Sequence, residues 1–234
     1  MGEDSETQPF CSIDDGLLFG KMGNIKFRLA KPSDAGQIAY VHYHIRDKYD
    51  QGFFAQVNYA FLKQYYQVVL DDPCEVVVCA EDENQKIVGF SSGSLDSERQ
   101  FRIMRRKKWG FLYPLLTSAL SHPKLIRSAY DRYQSTNSNS ENEYVTTTGA
   151  RIEYWGWLPG QNDSGKSVKM QELLIYTMML LGADELSFEV DTVNRKVLRF
   201  HKMNGAEEVR SFMMPDGRER VVLVYDLKNH KFRI

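Results

Sequence analysis

Several features are scarce in this sequence of 234 residues, and each scarcity excludes a class of protein. The three cysteines, Cys11, Cys74 and Cys79, have no further Cys or His pair at zinc-site spacing, which excludes a disulfide framework and a zinc finger. The sequence also has no excess of charge of one sign, because its formal net charge is −1. Binding of duplex nucleic acid requires a basic excess, so a general role in such binding is excluded. No apolar run has the length of a membrane span, and residues 1–9 lack the apolar core of a secretory signal. We therefore expect a soluble cytoplasmic protein. We expect no stable insertion into a membrane and no binding of nucleic acid.

The apolar pattern predicts one α/β domain over residues 25–234, preceded by an extension, residues 1–24, without sustained periodicity. The predicted order is strand, two helices, hairpin, insertion, strand, helix, strand, helix, strand and strand. Seven strands are predicted, at 25–29, 75–80, 87–92, 144–158, 186–190, 209–214 and 221–227. Four helices are predicted. The first begins at Pro32, and the other three cover 62–70, 170–181 and 194–204.

Residues 98–142 differ in character and are predicted to form a helical insertion between the third and fourth strands. A basic run precedes an aromatic and aliphatic stretch, and a loop rich in Ser and Asn, residues 135–142, ends the segment. Three interpretations of the basic run stay open: a solvated helix face, a patch that holds a diphosphate, and docking on a membrane surface. The last would use an apolar group consisting of Trp109, Phe111, Leu112, Tyr113, Leu115 and Leu116.

The segment 158–206 carries the strongest functional signal. A strand leads into a turn-rich loop, the loop opens a helix, and a strand ending in Val190-Asp191 follows. Successive amides of such a loop, at the positive end of a helix dipole, form a site for a pyrophosphate.

This segment resembles the core motif of the GNAT (GCN5-related) N-acetyltransferases without a gap. The family has a strand-end proline, a Gln or Arg, two small residues at the helix start, and then Val-Asp, Asn, an aromatic residue and Gly-Phe. The matching positions are Pro159, Asn162, Gly165, Ser167, Gly182, Val190, Asp191, Asn194, Phe200, His201, Gly205 and Ala206. The departures are Asn162 for a longer donor, Ser167 for Gly or Ala, His201 for Tyr, and the charge of Asp163 close to the expected phosphates.

The resemblance implies an α/β (α+β) GNAT fold with a mixed, mainly antiparallel central sheet of six or seven strands flanked by helices. It also implies transfer of an acyl group from acetyl-CoA or another acyl-CoA to a primary amine, with no metal. The cofactor-binding residues that it implies are Trp157, Leu158, Asn162, Asp163, Ser164, Gly165, Lys166, Ser167 and Asn194.

Two catalytic residues follow from the same resemblance. Glu153, on the strand before the loop and beside aromatic residues, is the expected general base, whereas the alternative is a solvated Glu paired with Arg151. His201 stands where the family has a Tyr that protonates the leaving thiolate, and the alternative is a surface histidine. Asn194 would contact the pantetheine arm or cap its helix. A backbone amide near Trp157 or Leu158 would stabilise the oxyanion.

The acceptor site is expected to involve His42, Phe53, Phe54 and Arg105, and the alternative for His42 is a partly buried structural histidine. The favoured acceptor is a nucleotide-linked amino sugar such as a dTDP-amino-deoxyhexose, because the basic insertion is similar to insertions in GNAT proteins that acylate such sugars for glycan biosynthesis. The alternatives are a peptide or protein N-acetyltransferase and a catalytically silent acyl-CoA-binding module. Whether the protein forms a homodimer stays open.

Overall fold

The computed structural model describes residues 18–46, 52–123, 125–127, 129–130, 146–161, 163, 165–214 and 216–229. The predictions made for residues 1–17, the loop 135–142, Asn162 and Ser164 lie outside these residues. Cys74 and Cys79 are buried free thiols, and Cys11 lies outside the described chain.

Eight strands form one sheet in the order β1-β2-β3-β4-β5-β6-β8-β7. Their bounds are β1 Leu18–Met22, β2 Ile25–Leu29, β3 Glu75–Glu81, β4 Ile87–Ser94, β5 Arg151–Trp157, β6 Glu185–Asp191, β7 Glu207–Met213 and β8 Glu219–Asp226. All neighbouring pairs are antiparallel except β5 and β6, which are parallel. The predicted mixed, mainly antiparallel sheet is confirmed.

The strand count exceeds the predicted six or seven because residues 18–22 of the expected extension belong to the sheet. β1 pairs with β2 from Leu18↔Arg28 to Met22↔Ile25 and is a short edge strand interrupted by Gly20. The prediction that residues 1–24 form an extension outside the domain was therefore wrong for residues 18–22. The predicted strand 144–158 is also shorter in the structure, where it begins at Arg151.

Seven α-helices have bounds that the structure describes in full, residues 125–127 and 129–130 are helical as well, and a 3₁₀ turn, Pro32–Asp34, precedes the first helix. Their bounds are α1 Ala35–Ile45, α2 Phe53–Gln56, α3 Tyr59–Leu70, α4 Ser97–Arg106, α5 Lys108–Ser121, α6 Lys166–Leu180 and α7 Arg195–Met203. The insertion thus contributes α4 and α5, between β4 and β5.

Two hydrophobic clusters separate the faces of the sheet. On one face, α6 packs on the sheet through Met170, Leu174 and Met178. On the other, α1 and α3 pack against alternate residues of the same strands, and α5 lies on α3 through a 5.2 Å contact between the Phe61 and Phe111 rings. The period of 2 along the strands and 3.6 along the helices accounts for this division.

Candidate active site

The site begins with an irregularity in β5. Ser91 of β4 faces Trp155 and Gly93 faces Ile152, so three residue steps of β5 oppose two of β4. The extra residue makes a β-bulge at Glu153 and Tyr154, and a bulge bends its strand and re-aims side chains. As a result, both Glu153 and Tyr154 contact residues of α3 or α1.

The bulged strand separates from its parallel neighbour. β5 and β6 share one register pair, Arg151↔Ser187, near the beginning of each strand. Beyond that pair the strands diverge towards the end of β5, where the loop to α6 starts. The divergence leaves the β6-side edge of β5 without a strand partner in the described chain.

The loop between β5 and α6 turns at two glycines with positive φ. Gly160 has φ 81° and Gly165, at the N-cap of α6, has φ 81°. An added Cβ at either would meet nothing within 4 Å, so the glycines serve the backbone conformation and not close packing. Within this turn the amide of Lys166 donates to the Asp163 carbonyl at 2.7 Å.

The Asp163 side chain does not point away into solvent, although a site for an anion would favour that orientation. Its carboxylate accepts from the Ser167 amide at 2.7 Å and from the Ser167 hydroxyl at 2.5 Å. The amide at one of the two small positions of the motif is therefore already bound to a negative charge of the same chain. The Lys166 side chain is also engaged, since it is buried and its Nζ lies 3.1 Å from Asn24 Oδ1.

The two backbone amides considered for the oxyanion have different surroundings. Leu158 N–H donates to the Val88 carbonyl at 2.8 Å and is part of the sheet. Since consecutive amides of a strand point to opposite edges, the Trp157 amide faces the β6 side, where the strands have separated. Of the two candidates, the geometry favours Trp157.

Glu153 is half-buried and accepts a hydrogen bond from the Tyr65 hydroxyl at 3.2 Å. Burial, and after it the charge of Glu153, raises the pKa of Tyr65 well above its ordinary value, so the phenol stays a donor. The alternative pairing of Glu153 with Arg151 is not found, because Arg151 Nη2 bonds Glu189 Oε2 at 3.0 Å.

A second carboxyl lies on the same face of the sheet as Glu153. Glu75 accepts from Gln100 of α4 at 2.8 Å. Burial, and after it the charge of Glu153, raises the pKa of Glu75 well above its ordinary range. The charged form of Glu75 is thus disfavoured at this position beside Glu153.

Most of the predicted acceptor residues gather beside Glu153. The Phe54 ring lies 5.1 Å from Tyr154 and 5.0 Å from Tyr65, and the His42 ring lies 4.7 Å from Tyr154. Phe53 packs on Phe54 from α2 at 5.2 Å. The structure therefore brings α1, α2, α3 and the bulge together around Glu153.

His42 belongs to the packing of this cluster. It is 6% exposed, and its Nδ1 lies 2.7 Å from the Tyr66 hydroxyl. Burial lowers the pKa of His42 to about 3, so it is neutral at physiological pH. The structural alternative fits His42 better than the expected contact with an acceptor. Arg105 is half-buried in the last turn of α4, on the insertion.

The surroundings of His201 do not favour its predicted role as the group that protonates a thiolate. Its side chain is 2% exposed, Phe188 packs on the ring at 4.4 Å, and Nδ1 lies 2.8 Å from the Tyr225 hydroxyl. Burial lowers the pKa of His201 to about 3, so the imidazolium that would protonate a thiolate does not form near neutral pH. It is equally not the surface histidine of the alternative interpretation.

Asn194 precedes α7 and is half-buried, yet its side chain makes no capping hydrogen bond. The alternative role as an N-cap is therefore not observed. The side-chain amide stays available to a ligand at the end of β6.

Two contacts of this region are not indicated by the sequence. Tyr65 lies 88 residues before Glu153, so no spacing indicates their hydrogen bond. Arg218, in the β7–β8 hairpin, pairs with Asp191 and Asp216 at 2.8 Å each. An added Cβ at Gly52 would lie 3.3 Å from its Nη2, so this cation joins the hairpin to the start of α2.

Solved structures share this architecture. An N-acetyltransferase from Staphylococcus aureus Mu50 matches with a TM-score of 0.54 at 13% identity, over 85% of this chain and 99% of the other. Arabidopsis thaliana NAA60 in complex with acetyl-CoA gives 0.51 at 16% identity, over 88% and 99%. A GNAT-family acetyltransferase from Bacillus cereus ATCC 10987 gives 0.50 at 10% identity, over 89% and 99%. The chain has the GNAT fold.

Sequence similarity adds nothing to this fold match, since no family model and no curated protein matches the chain. Identities of 10–16% establish the GNAT fold alone. Within the described chain, no three or more His, Cys, Asp or Glu side chains group to hold a metal ion. No helix of the same residues is long and apolar enough to cross a membrane.

Proposed function

We propose that this protein is an acyl-CoA-dependent N-acyltransferase that acts on a primary amine. The observation that carries the proposal is the bulge in β5, which opens the sheet beside the loop to α6 and turns Glu153 towards α3. A thioester carrier lying along the open edge of β5 has its pyrophosphate at the loop and its acyl carbon near the bulge. The match to NAA60 with bound acetyl-CoA supports the same ligand.

In this proposal the amine nitrogen attacks the thioester carbonyl directly, the C–S bond breaks, and the sulfur leaves as the thiolate. Glu153 accepts the proton that the amine loses, and the Trp157 amide donates to the developing oxyanion. Tyr65 holds the Glu153 carboxylate through its hydroxyl, and Asn194 contacts the pantetheine arm. Because His201 is neutral and buried, the thiolate takes its proton from solvent.

The carrier would be bound by Trp157, Leu158, Asn194 and the amides of the loop, among them Gly165 and Lys166. The donor set fits a pyrophosphate in part. Gly160 and Gly165 place the backbone as such a site requires, whereas Asp163 holds the Ser167 amide and opposes a second negative group. We therefore infer that Asp163 moves, or that the phosphates use the amides that remain.

For the acceptor we propose a small amine, with a nucleotide-linked amino sugar as the favoured class. Phe54 and Tyr154 supply flat apolar surface beside Glu153, which suits a sugar or base ring. Arg105 in the insertion would bind the diphosphate through its guanidinium fork.

The test combines acetyl-CoA with panels of amines, including nucleotide-linked amino sugars, plain amino sugars and peptides, and measures thiol release. We expect release that depends on the amine and falls at least tenfold in Glu153→Gln, with acetyl-CoA binding unchanged. Glu172→Gln, a half-buried carboxylate of α6 with an exposed pair to Lys169, is the matched control. Full turnover in Glu153→Gln would overturn the assignment of the base.

A second candidate is a binding module that holds acyl-CoA without transferring the acyl group. It is favoured by two departures, the capture of the Ser167 amide by Asp163 and the burial of His201. Saturable binding of acetyl-CoA together with no thiol release for any amine would select it.

A further inference from the structure

One segment of the chain carries basic residues and no acidic ones. Residues 99–130 contain eight Lys or Arg and no Asp or Glu, although the chain as a whole has a formal net charge of −1. Arg102, Arg106 and Lys108 are exposed, and none of them forms an ion pair within the described chain. Lys107 has one exposed contact, at 3.6 Å from Asp71. The junction of α4 and α5 is therefore a positive surface that neighbouring carboxylates leave almost uncompensated.

Helix α5 is apolar on two opposite faces. Its inner face packs on α3 and the second hydrophobic cluster through Phe111 and Leu115, while Ser118 is buried and bonds the Asn58 amide at 2.9 Å. This inner face accounts for the attachment of α5 to the domain. Among the described residues, no other part of the domain packs on the outer face in a comparable way.

The outer face carries large apolar side chains at positions i, i+3, i+4, i+7 and i+11, which form one stripe along the helix. Their exposed fractions are 74% for Trp109, 45% for Leu112, 76% for Tyr113, 53% for Leu116 and 85% for Leu120. The following residues Ile126 and Tyr130 are 58% and 61% exposed. A contiguous exposed stripe of this size marks an interaction surface.

We propose that the outer face of α5 docks on a membrane surface that carries anionic phospholipids, with the helix lying in the plane of the interface. The stripe would enter the boundary between headgroups and acyl chains, where Trp and Tyr side chains are favoured. The exposed cations at the start of α5 would meet the lipid phosphates, which is the charge complement they lack in the described chain. This inference is independent of the proposed chemistry, since neither Glu153 nor the loop takes part in it.

The test uses the full chain and co-flotation with vesicles of phosphatidylcholine alone or with roughly one third phosphatidylserine. We expect flotation with the anionic vesicles, at least tenfold weaker binding to the neutral ones, and weakening by salt. Trp109→Asp and Arg106→Glu should each reduce binding roughly fivefold or more. Met203→Asp is the matched control, because Met203 on α7 is also 74% exposed and should bind like the wild type.

Three results would overturn the proposal. The first is no flotation of the full chain with either vesicle, and the second is equal loss in Trp109→Asp and Met203→Asp. The third is flotation only after residues 1–17 are removed. That segment has five acidic and no basic residues, so this result would mean that it covers the stripe. A dimer that dissociates in Trp109→Asp, without vesicle binding, would assign the face to a second copy. Circular dichroism melting of each variant shows that the fold is retained.

Discussion

At the scale of single residues, Asp163 departs most from the proposed binding site. Its carboxylate accepts two hydrogen bonds from Ser167 and so gives an amide in the first turn of α6 a partner when no ligand is bound. A carboxylate is favoured near a helix N-terminus by the exposed amides and by the helix dipole. The same contact competes with a phosphate for the amide. Asp163 therefore stabilises the free protein and weakens the binding of the proposed ligand.

Asp163→Asn should therefore bind acetyl-CoA more tightly than the wild type. An Asn can still accept from the Ser167 amide, but it removes the repulsion of a charge near the pyrophosphate. We expect about fivefold to tenfold tighter binding, equivalent to roughly 1 kcal/mol at low ionic strength. Calorimetric titration at two salt concentrations measures it, and weaker or salt-independent binding would show that Asp163 stays away from the phosphates.

His201 gives a second prediction for a single residue. His201→Phe removes the contact with the Tyr225 hydroxyl inside the core and should lower the free energy of unfolding by about 1–2 kcal/mol. Turnover per folded molecule should stay within about twofold of the wild type, because the buried imidazole is not in its acidic, protonated form near neutral pH. A tenfold loss of kcat with unchanged stability would restore its catalytic role.

At the scale of elements, the close approach of β4 and β5 depends on Gly93. An added Cβ there would lie 2.7 Å from the Arg151 carbonyl and 2.7 Å from Met178 Sδ, so the backbone of β5 leaves no room for it. Glycine at this point lets the register pass from Gly93↔Ile152 into the bulge.

Gly93→Ala should accordingly destabilise the fold by about 2–3 kcal/mol, as overpacking does when backbone atoms must move. Gly36→Ala is the control, because its Cβ would lie 3.4 Å from the Tyr59 hydroxyl in a helix where Ala is favoured. Urea denaturation of both variants measures the difference. Equal stabilities would mean that β5 tolerates a shift and that the bulge is not fixed by β4.

Elements were also the scale at which the sequence was most informative. Helices α3 and α6 and the hairpin of β3 and β4 have local apolar periodicity, so the pattern predicts them without knowledge of the fold. β1 was missed because Gly20 interrupts a five-residue edge strand. The burial of His201 depends on Phe188 and Tyr225 from β6 and β8, and the Tyr65–Glu153 bond joins α3 to β5, so helix and strand patterns contain neither.

At the scale of the whole molecule, buried titratable groups make stability depend on pH in two opposing ways. His42 and His201 have folded pKa values of about 3, so below about pH 6.5 the unfolded chain takes up protons that the native chain does not. Stability is then lost as pH falls from about 6.5 towards 3. The raised pKa of Glu75 acts in reverse, since the native chain holds a proton that the unfolded chain releases above its usual value near 4.5.

The urea midpoint of the wild type should therefore fall from pH 7 to pH 5, because two histidines outweigh one carboxyl. Glu75→Gln should be more stable at pH 7, by roughly 1 kcal/mol, since the amide does not have to take up a proton when it is buried. It should also lose stability more steeply on acidification, since the compensating proton is gone. A Glu75→Gln variant that is less stable than the wild type at pH 7 would mean that Glu75 is charged in the native state.

In the proposed function, the loop before α6 and the open edge of β5 bind an acyl-CoA. Calorimetric titration of the wild-type protein with acetyl-CoA measures this binding. We expect one saturable site per chain with a Kd between roughly 1 µM and 1 mM, the range in which enzymes bind their substrates. No detectable binding of acetyl-CoA, of longer acyl-CoA species or of free coenzyme A at millimolar concentration would contradict it.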